Sequence, residues 1–551
     1  MMAKEAKPTM RRSRDRKSRT RRSIVPTVTD RCFEFFRSKG MTTIFGNPGS
    51  TEEPFLANFP KDFRYVLGLH EASVVGMATG YALAGDRVGL VNLHTAAGMG
   101  NAMAAIINAH HTKAPLIITA GQQHRAMEVL EPYLWGRQVE FTRPYVKWSY
   151  EPHRAVDVPE ALSRAYGIAI SAPVGPVFVS ICMDGLDEEC PAVIPRTVDG
   201  RPVPSPKTID RFASSLDESK RVAIVAGEDL DDPETWESTI ALAERLGAAV
   251  FGPPRNFRVG FPTGHPQFRG FLPPAIKLLS DRLAGFDALL VLGTRVFAYY
   301  PYIPGPPVPD GLRVFHVTSD PSEAARAIVG DSAVGCPRAA VRMLLDRLKP
   351  GVGRPAPPAP SPAPPSSPAE PIPPAFVYRT LAETLPPHTM IFEESSSTVT
   401  VHQRLIPRDE PHGFFSSGNG ILGSALPMAV GAKLARPDQP VVCVIGDGAT
   451  QFSIQGLWTA KQEKLDVVFV VMDNREYAIL KSFAGFLETP GIPGLDLEGI
   501  DFVALARGYG LPCRSVAKPD ELAQALREAF AAGGPSVVHV RVDPKVPPLL
   551  A

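Results

Sequence analysis

The sequence is short of cysteine, of long apolar runs and of net charge, and each shortage removes a class of function. Its six cysteines, Cys32, Cys182, Cys190, Cys336, Cys443 and Cys513, are scattered over 551 residues without a CxxC or other metal-binding spacing. They read as reduced structural thiols, which points to a cytoplasmic protein. No run reaches the length of a membrane span, and the N-terminus carries no apolar signal segment. With 58 Lys and Arg against 57 Asp and Glu, there is no overall field to draw in nucleic acid or an anionic membrane. The basic cluster RRSRDRKSRTRR within residues 1–23 reads as a disordered tail. An enzyme of small molecules fits what is left.

Proline and hydrophobic patterning divide the chain. The stretch GVGRPAPPAPSPAPPSSPAEPIPP within 350–374 has no apolar periodicity and reads as an extended linker, and CPAVIPRTVDGRPVPSPK at 190–207 as a shorter one. The units are then 24–189, 208–349 and 375–551. Each alternates short aliphatic runs with helical patterns, as in TTIFG, PLIITAG, VAIVAG, ALLVLGT, VVCVIGDG and VVFVVMDN. That grammar predicts an α/β class of three doubly wound parallel-sheet domains, and the first and last units share it most closely.

The last unit carries the plainest chemistry. In PVVCVIGDGATQFSIQGLWTAKQEKLDVVFVVMDNREYAIL, Asp447 ends one predicted strand and Asn474 follows the next. A right-handed crossover brings both to one sheet edge. A carboxylate and an amide oxygen suit Mg2+, or Ca2+ in its place, better than zinc, while Gly446 and Gly448 let backbone amides approach phosphate. In the first unit, Glu71 opens a helix whose neighbours Val74, Val75, Gly76 and Ala78 are small or apolar. Such surroundings favour a shared-proton hydrogen bond over a solvated carboxylate.

The segment from Gly446 to Asn474 resembles the signature of thiamine diphosphate (ThDP) enzymes, which opens with GDG and closes with an asparagine pair; Asp473 replaces the first asparagine. The stretches FGNPGSTEEPFLANFPKDFRYVLGLHEASVVG, NLHTAAGMGNAM, ITAGQQHRAM, VKWSYEP, GILGSALP and PGLDLEGIDFVALARGYG are similar to the benzoylformate decarboxylase family. The resemblance implies pyrimidine-binding, middle and diphosphate-binding domains, and non-oxidative decarboxylation of an aryl or bulky 2-oxo acid to an aldehyde and CO2 through a C2 carbanion and an enamine. It implies Asp447, Asn474 and the backbone carbonyl of Glu476 as metal ligands, with Gly420, Leu422, Ser396, Ser397, Gly446, Gly448 and Tyr477 as cofactor contacts. Ala449 stands where close relatives have serine. Glu71 matches the residue that activates the pyrimidine ring, and His94 and Ser50 match a proton-transfer histidine and a substrate-carboxylate contact. It also implies a homo-oligomer, a dimer of dimers with its active site between subunits.

The departures gather in the expected substrate pocket. Tyr300 stands at the position of a second catalytic histidine; a phenol, with an ordinary pKa of about 10, is a weaker proton relay near neutrality. Tyr133 replaces an aliphatic residue, Ser416 an aromatic one and Ile479 an alanine, whereas Phe483 keeps its aromatic ring. The pocket is reshaped, and His124 is a further histidine near it. The doublet His110 and His111 precedes strand PLIITAG at the far edge of the sheet and reads as structural or solvated. Two other readings stay open: a ThDP-dependent carboligase or lyase, similar to acetolactate synthase or benzaldehyde lyase, and a nucleotide-binding α/β protein, hinted at by VAIVAGED but lacking GxGxxG.

Overall fold

The computed structural model describes residues 25–194, 196–350 and 366–550. The expected basic tail and most of the proline-rich linker lie outside these residues. The chain forms three six-stranded sheets in which every neighbouring pair of strands is parallel. Runs such as Val441–Gly446 and Val467–Asp473 are buried along nearly their whole length, as a sheet covered by helices on both faces requires.

The first and last sheets share one topology. In the first, the order is Arg64–Leu67, Thr43–Asn47, Gly89–Leu93, Leu116–Gln122, Val177–Cys182 and Ser149–Tyr150; in the last it is Phe414–Ser416, Met390–Glu394, Val441–Gly446, Val467–Asp473, Ser536–Arg541 and Cys513–Val516. The chain reverses its direction of winding beside Thr43–Asn47 in one and Met390–Glu394 in the other, and the carboxyl end of such a reversal is where open sheets bind ligands. Asn47, His94, Ser395 and Asp447 all lie there.

The middle sheet runs Phe268–Phe271, Ala249–Gly252, Val222–Ala226, Ala288–Leu292, Arg313–Thr318, Asp331–Val334, the strand order of dinucleotide-binding folds. Its crevice is chemically wrong for phosphate. The turn after Val222–Ala226 places Glu228 and Asp229 where amides would cradle a diphosphate. Lys113 from the first domain reaches in, with Nζ 2.9 Å from Asp229 Oδ2 and 3.6 Å from Glu323 Oε2. The nucleotide-binding reading of this domain is therefore disfavoured by charge as well as by the missing glycines.

First and last domains meet through two helices. Glu71–Gly85 (EASVVGMATGYALAG) is buried on almost every side, and it packs on Ala425–Ala435 in a core shared by both domains. The approach is backbone to backbone: a Cβ on Gly80 would lie 1.9 Å from the Met428 carbonyl oxygen, and one on Gly431 1.8 Å from that of Met77. Only glycine permits it. We expect Gly80→Val to destabilise the protein by about 3 kcal/mol or more, the upper end of overpacking costs. A urea midpoint within error of wild type would show that this contact does not hold the domains.

Candidate active site

The functional side chains fall into two groups. The first lies at the carboxyl edge of the first sheet. His70 caps the helix Glu71–Gly85, its Nδ1 accepting from the Ala72 amide at 3.2 Å. Glu71 is only 7% exposed. Asn47 Nδ2 donates to its Oε1 and Asn101 Nδ2 to its Oε2, each at 3.0 Å, so both oxygens are held in one orientation.

His94 is anchored as firmly. Its Nδ1 lies 2.9 Å from Glu52 Oε2, and Thr51 Oγ1 is 3.2 Å away. Glu52, 1% exposed, also accepts from the amides of Gly49 and Gly121 at 2.8 and 2.7 Å and from Thr51 Oγ1 at 2.8 Å. The imidazole is thus gripped through Nδ1, which leaves Nε2 for chemistry. A Cβ on Gly49 would sit 2.2 Å from His94 Nδ1, so the NPGS turn needs glycine there. Ser50 is exposed on the same turn, and buried Thr95 beside His94 holds a left-handed φ of 42°, the kind of strain that gathers at functional sites. His124 is exposed, and its Nδ1 accepts from the Ala126 amide.

The second group forms a cleft of about 620 Å3 at the carboxyl edge of the last sheet. Ser396, Ser397, Leu422, Gly446, Asp447, Gly448, Ala449, Asn474, Glu476, Tyr477 and Ile479 all line it. Asp447 Oδ1 accepts from Gly448 N and its Oδ2 from Arg475 N, both at 2.7 Å. Burial, reinforced by the neighbouring Asp473 carboxylate, pushes the Asp447 carboxyl above its ordinary range. It is a carboxylate short of positive charge. Burial alone would raise Asp473 too, but His539 Nε2 at 2.8 Å and Arg541 at 2.6 Å hold it low. The aspartate that replaces an asparagine is thus neutralised from the next strand.

Glu394, absent from the sequence reading, also lines the cleft; its carboxylate accepts from the amides of Gly423, Ser424 and Ala425 and so fixes the start of Ala425–Ala435. Glu476 pairs through its carboxylate with Lys481. Gly420 holds a φ of 78° beside Leu422 but does not line the cleft. Nor do the substrate-pocket residues other than Ile479. Ser416 lies on its strand and bonds the Glu393 carbonyl at 2.9 Å, Tyr300 packs on Phe483 with ring centroids 4.9 Å apart, and Tyr133 is 89% exposed on the first domain.

This cleft fits a metal-bound diphosphate. A buried carboxylate lacking a counter-charge and an amide oxygen converge from adjacent strands, and the first amides of helix Asp447–Gln451 open beside them. Glu71, His94 and Ser50 do not line it.

A sheet edge lined by Asp447, Asn474 and glycine backbone, on a chain that separately presents an oriented buried glutamate, fits a ThDP-dependent enzyme. Family models described as "Thiamine pyrophosphate enzyme" match throughout: the N-terminal TPP binding domain at residues 26–140, the central domain at 209–344 and the C-terminal TPP binding domain at 395–540. Benzoylformate decarboxylase of Pseudomonas aeruginosa is 43% identical over 94% of this chain and 99% of its own length. The crystal structure of benzoylformate decarboxylase from Polynucleobacter necessarius superposes with a TM-score of 0.93 at 40% identity, covering 95% of this chain and all of that one. A 4-hydroxybenzoylformate decarboxylase from Rhodococcus jostii RHA1 gives a TM-score of 0.91 at 38% identity, covering 94% of this chain and 100% of its own. The chain belongs to the thiamine pyrophosphate enzyme family.

The uncompensated charge at Asp447 has a measurable consequence. Asp447→Asn is expected to raise the melting temperature of the cofactor-free protein by a few degrees, because it removes a buried, unpaired carboxylate. The same change should abolish the further stabilisation that wild type gains from Mg2+ with ThDP. Equal ligand-induced shifts in wild type and variant would remove Asp447 from the metal site.

Proposed function

We infer that this protein decarboxylates an aryl 2-oxo acid without oxidation, releasing CO2 and an aldehyde. The observation that carries the reading is the oriented Glu71 on one half-site matched to the metal-diphosphate cradle on the other. When bound, ThDP supplies the electron sink that makes loss of CO2 feasible. Mg2+ held by Asp447, Asn474 and the carbonyl of Glu476 would offset the diphosphate charge. Leu422 would brace the cofactor, Gly420, Ser396, Ser397 and Tyr477 would contact it, and Ala449 offers no hydroxyl to the phosphates. Glu71, kept in place by Asn47 and Asn101, would share a proton with the pyrimidine ring, and its buried setting would strengthen that bond. Ser50 presents its hydroxyl to the substrate carboxylate. His94, with Nε2 free, moves the proton that product release requires.

The active site in this reading is assembled from two copies, Glu71, His94 and Ser50 of one facing the cleft of the other. Large apolar side chains support it. On the first domain Val129, Leu130 and Tyr133 are 88, 71 and 89% exposed, and a run of large exposed apolar side chains of this kind suits burial against a second copy. The assembly proposed is a dimer of dimers. All six cysteines are free thiols and no described helix is long and apolar enough to cross a membrane; we place the protein in the cytoplasm.

Carboligation is the second reading, favoured by Tyr300. A 55% exposed phenol stacked on Phe483 replaces an imidazole relay, and slower proton delivery leaves time for attack on an acceptor aldehyde. Incubation of the Mg2+ and ThDP holoenzyme with benzoylformate should yield CO2 and benzaldehyde in equal amounts. With excess acceptor aldehyde, Tyr300→His should raise the ratio of aldehyde to 2-hydroxy ketone several-fold, while Tyr300→Phe should not. Absence of CO2 from every aryl 2-oxo acid would refute the main reading. An unmoved ratio would make Tyr300 a pocket wall only.

A further inference from the structure

Beyond the strand Ala249–Gly252, two buried prolines, Pro253 and Pro254, aim the chain at Arg255. This residue lines a second cleft with His111, Lys113, Phe257, Thr294 and Arg295 and with the acids Glu228 and Glu323. The other two cations there are engaged: Lys113 with Asp229 and Glu323, and Arg295 Nε with Glu323 Oε1 at 3.2 Å. Arg255 has no carboxylate partner among the described residues. Its one close charged or aromatic neighbour is Tyr300, with the guanidinium carbon 5.9 Å from the ring centroid.

The location ties this cation to residues expected around the substrate. The Tyr300 ring that Arg255 approaches also packs on Phe483, with centroids 4.9 Å apart. Two residues on from Arg255, the Phe257 carbonyl accepts from the Ser416 amide at 3.0 Å. The loop that carries the arginine is therefore pinned to the residues that shape the pocket. An exposed guanidinium lying over a tyrosine ring keeps its fork of donors fixed and free for a planar anion.

Taking the aryl 2-oxo acid reading as its basis, we propose that Arg255 binds a second anionic group at the distal end of the substrate, so that the preferred 2-oxo acid is an aryl one bearing a ring carboxylate. The reacting carboxylate stays with Ser50.

The test compares 4-carboxybenzoylformate with its neutral isostere, 4-carbamoylbenzoylformate, on the Mg2+ and ThDP holoenzyme. Wild type should favour the anionic acid in kcat/KM by about tenfold or more, the range of one charge-assisted hydrogen-bonded pair. In Arg255→Gln that preference should collapse toward one, chiefly through KM. Arg255→Lys should keep part of it, and in wild type it should shrink as salt rises. A wild-type ratio near one, or a ratio that Arg255→Gln leaves unchanged, would overturn the proposal. So would equal weakening of both acids, since Arg255 would then hold the reacting carboxylate. If wild type turns over neither acid but releases CO2 from benzoylformate, the role of Arg255 fails and the aryl 2-oxo acid reading stands; absence of CO2 from benzoylformate and every other aryl 2-oxo acid defeats that reading itself.

Discussion

Everything in this chain hangs on a contact made without side chains. Gly80 and Gly431 let the helices Glu71–Gly85 and Ala425–Ala435 touch carbonyl to Cα, and that contact fixes the first and last sheets as one body around one core. Both helices also carry candidate site residues at or near their amino ends. Glu71 is the first residue of one; the start of the other is bound by Glu394 and follows Leu422. The packing that stabilises the fold therefore also sets the positions of both groups, and a shift of one helix would displace residues on both sheets.

The cleft of the last domain is lined without Glu71 or His94; in the proposed assembly a second copy supplies them. Charge follows a similar logic. Asp473 is neutralised by His539 and Arg541 from the neighbouring strand, whereas Asp447 beside it has only backbone amides, as a residue awaiting a metal would.

The three parallel sheets were legible because buried parallel strands read as aliphatic runs, and the meeting of Asp447 and Asn474 in one cleft because both follow such runs at one sheet edge. Met390–Glu394 was not. It is an interior strand, paired on both sides, yet MIFEE ends in two acids that look like a solvated turn. Their burial is possible because the Ser395 amide bonds Glu393 at 2.6 Å and three amides from 423–425 bond Glu394, a satisfaction that comes from distant sequence. Edge strands such as Ser149–Tyr150 and Phe414–Ser416 are too short to show a period. Glu52 reads as a first-turn helix acid, and only the fold shows it gripping His94. Asn47 and Asn101 sit in stretches that carried the family resemblance, but their aim at Glu71 depends on where two helices begin. The charged crevice of the middle domain is likewise a tertiary event, since Lys113 enters it from another domain.

Sharing of the active site between two copies is the claim on which the functional account stands, and complementation tests it directly. Glu71→Gln and Asp447→Ala each disable a different half-site, so each variant alone should be nearly inactive. Co-expressed with distinct tags and purified as the mixed dimer, they combine one doubly damaged site with one fully intact site. Such a dimer should regain about half the wild-type turnover per dimer, with melting behaviour like that of the parents. Turnover no higher than that of either parent would mean that each chain completes its own site, and would contradict the account.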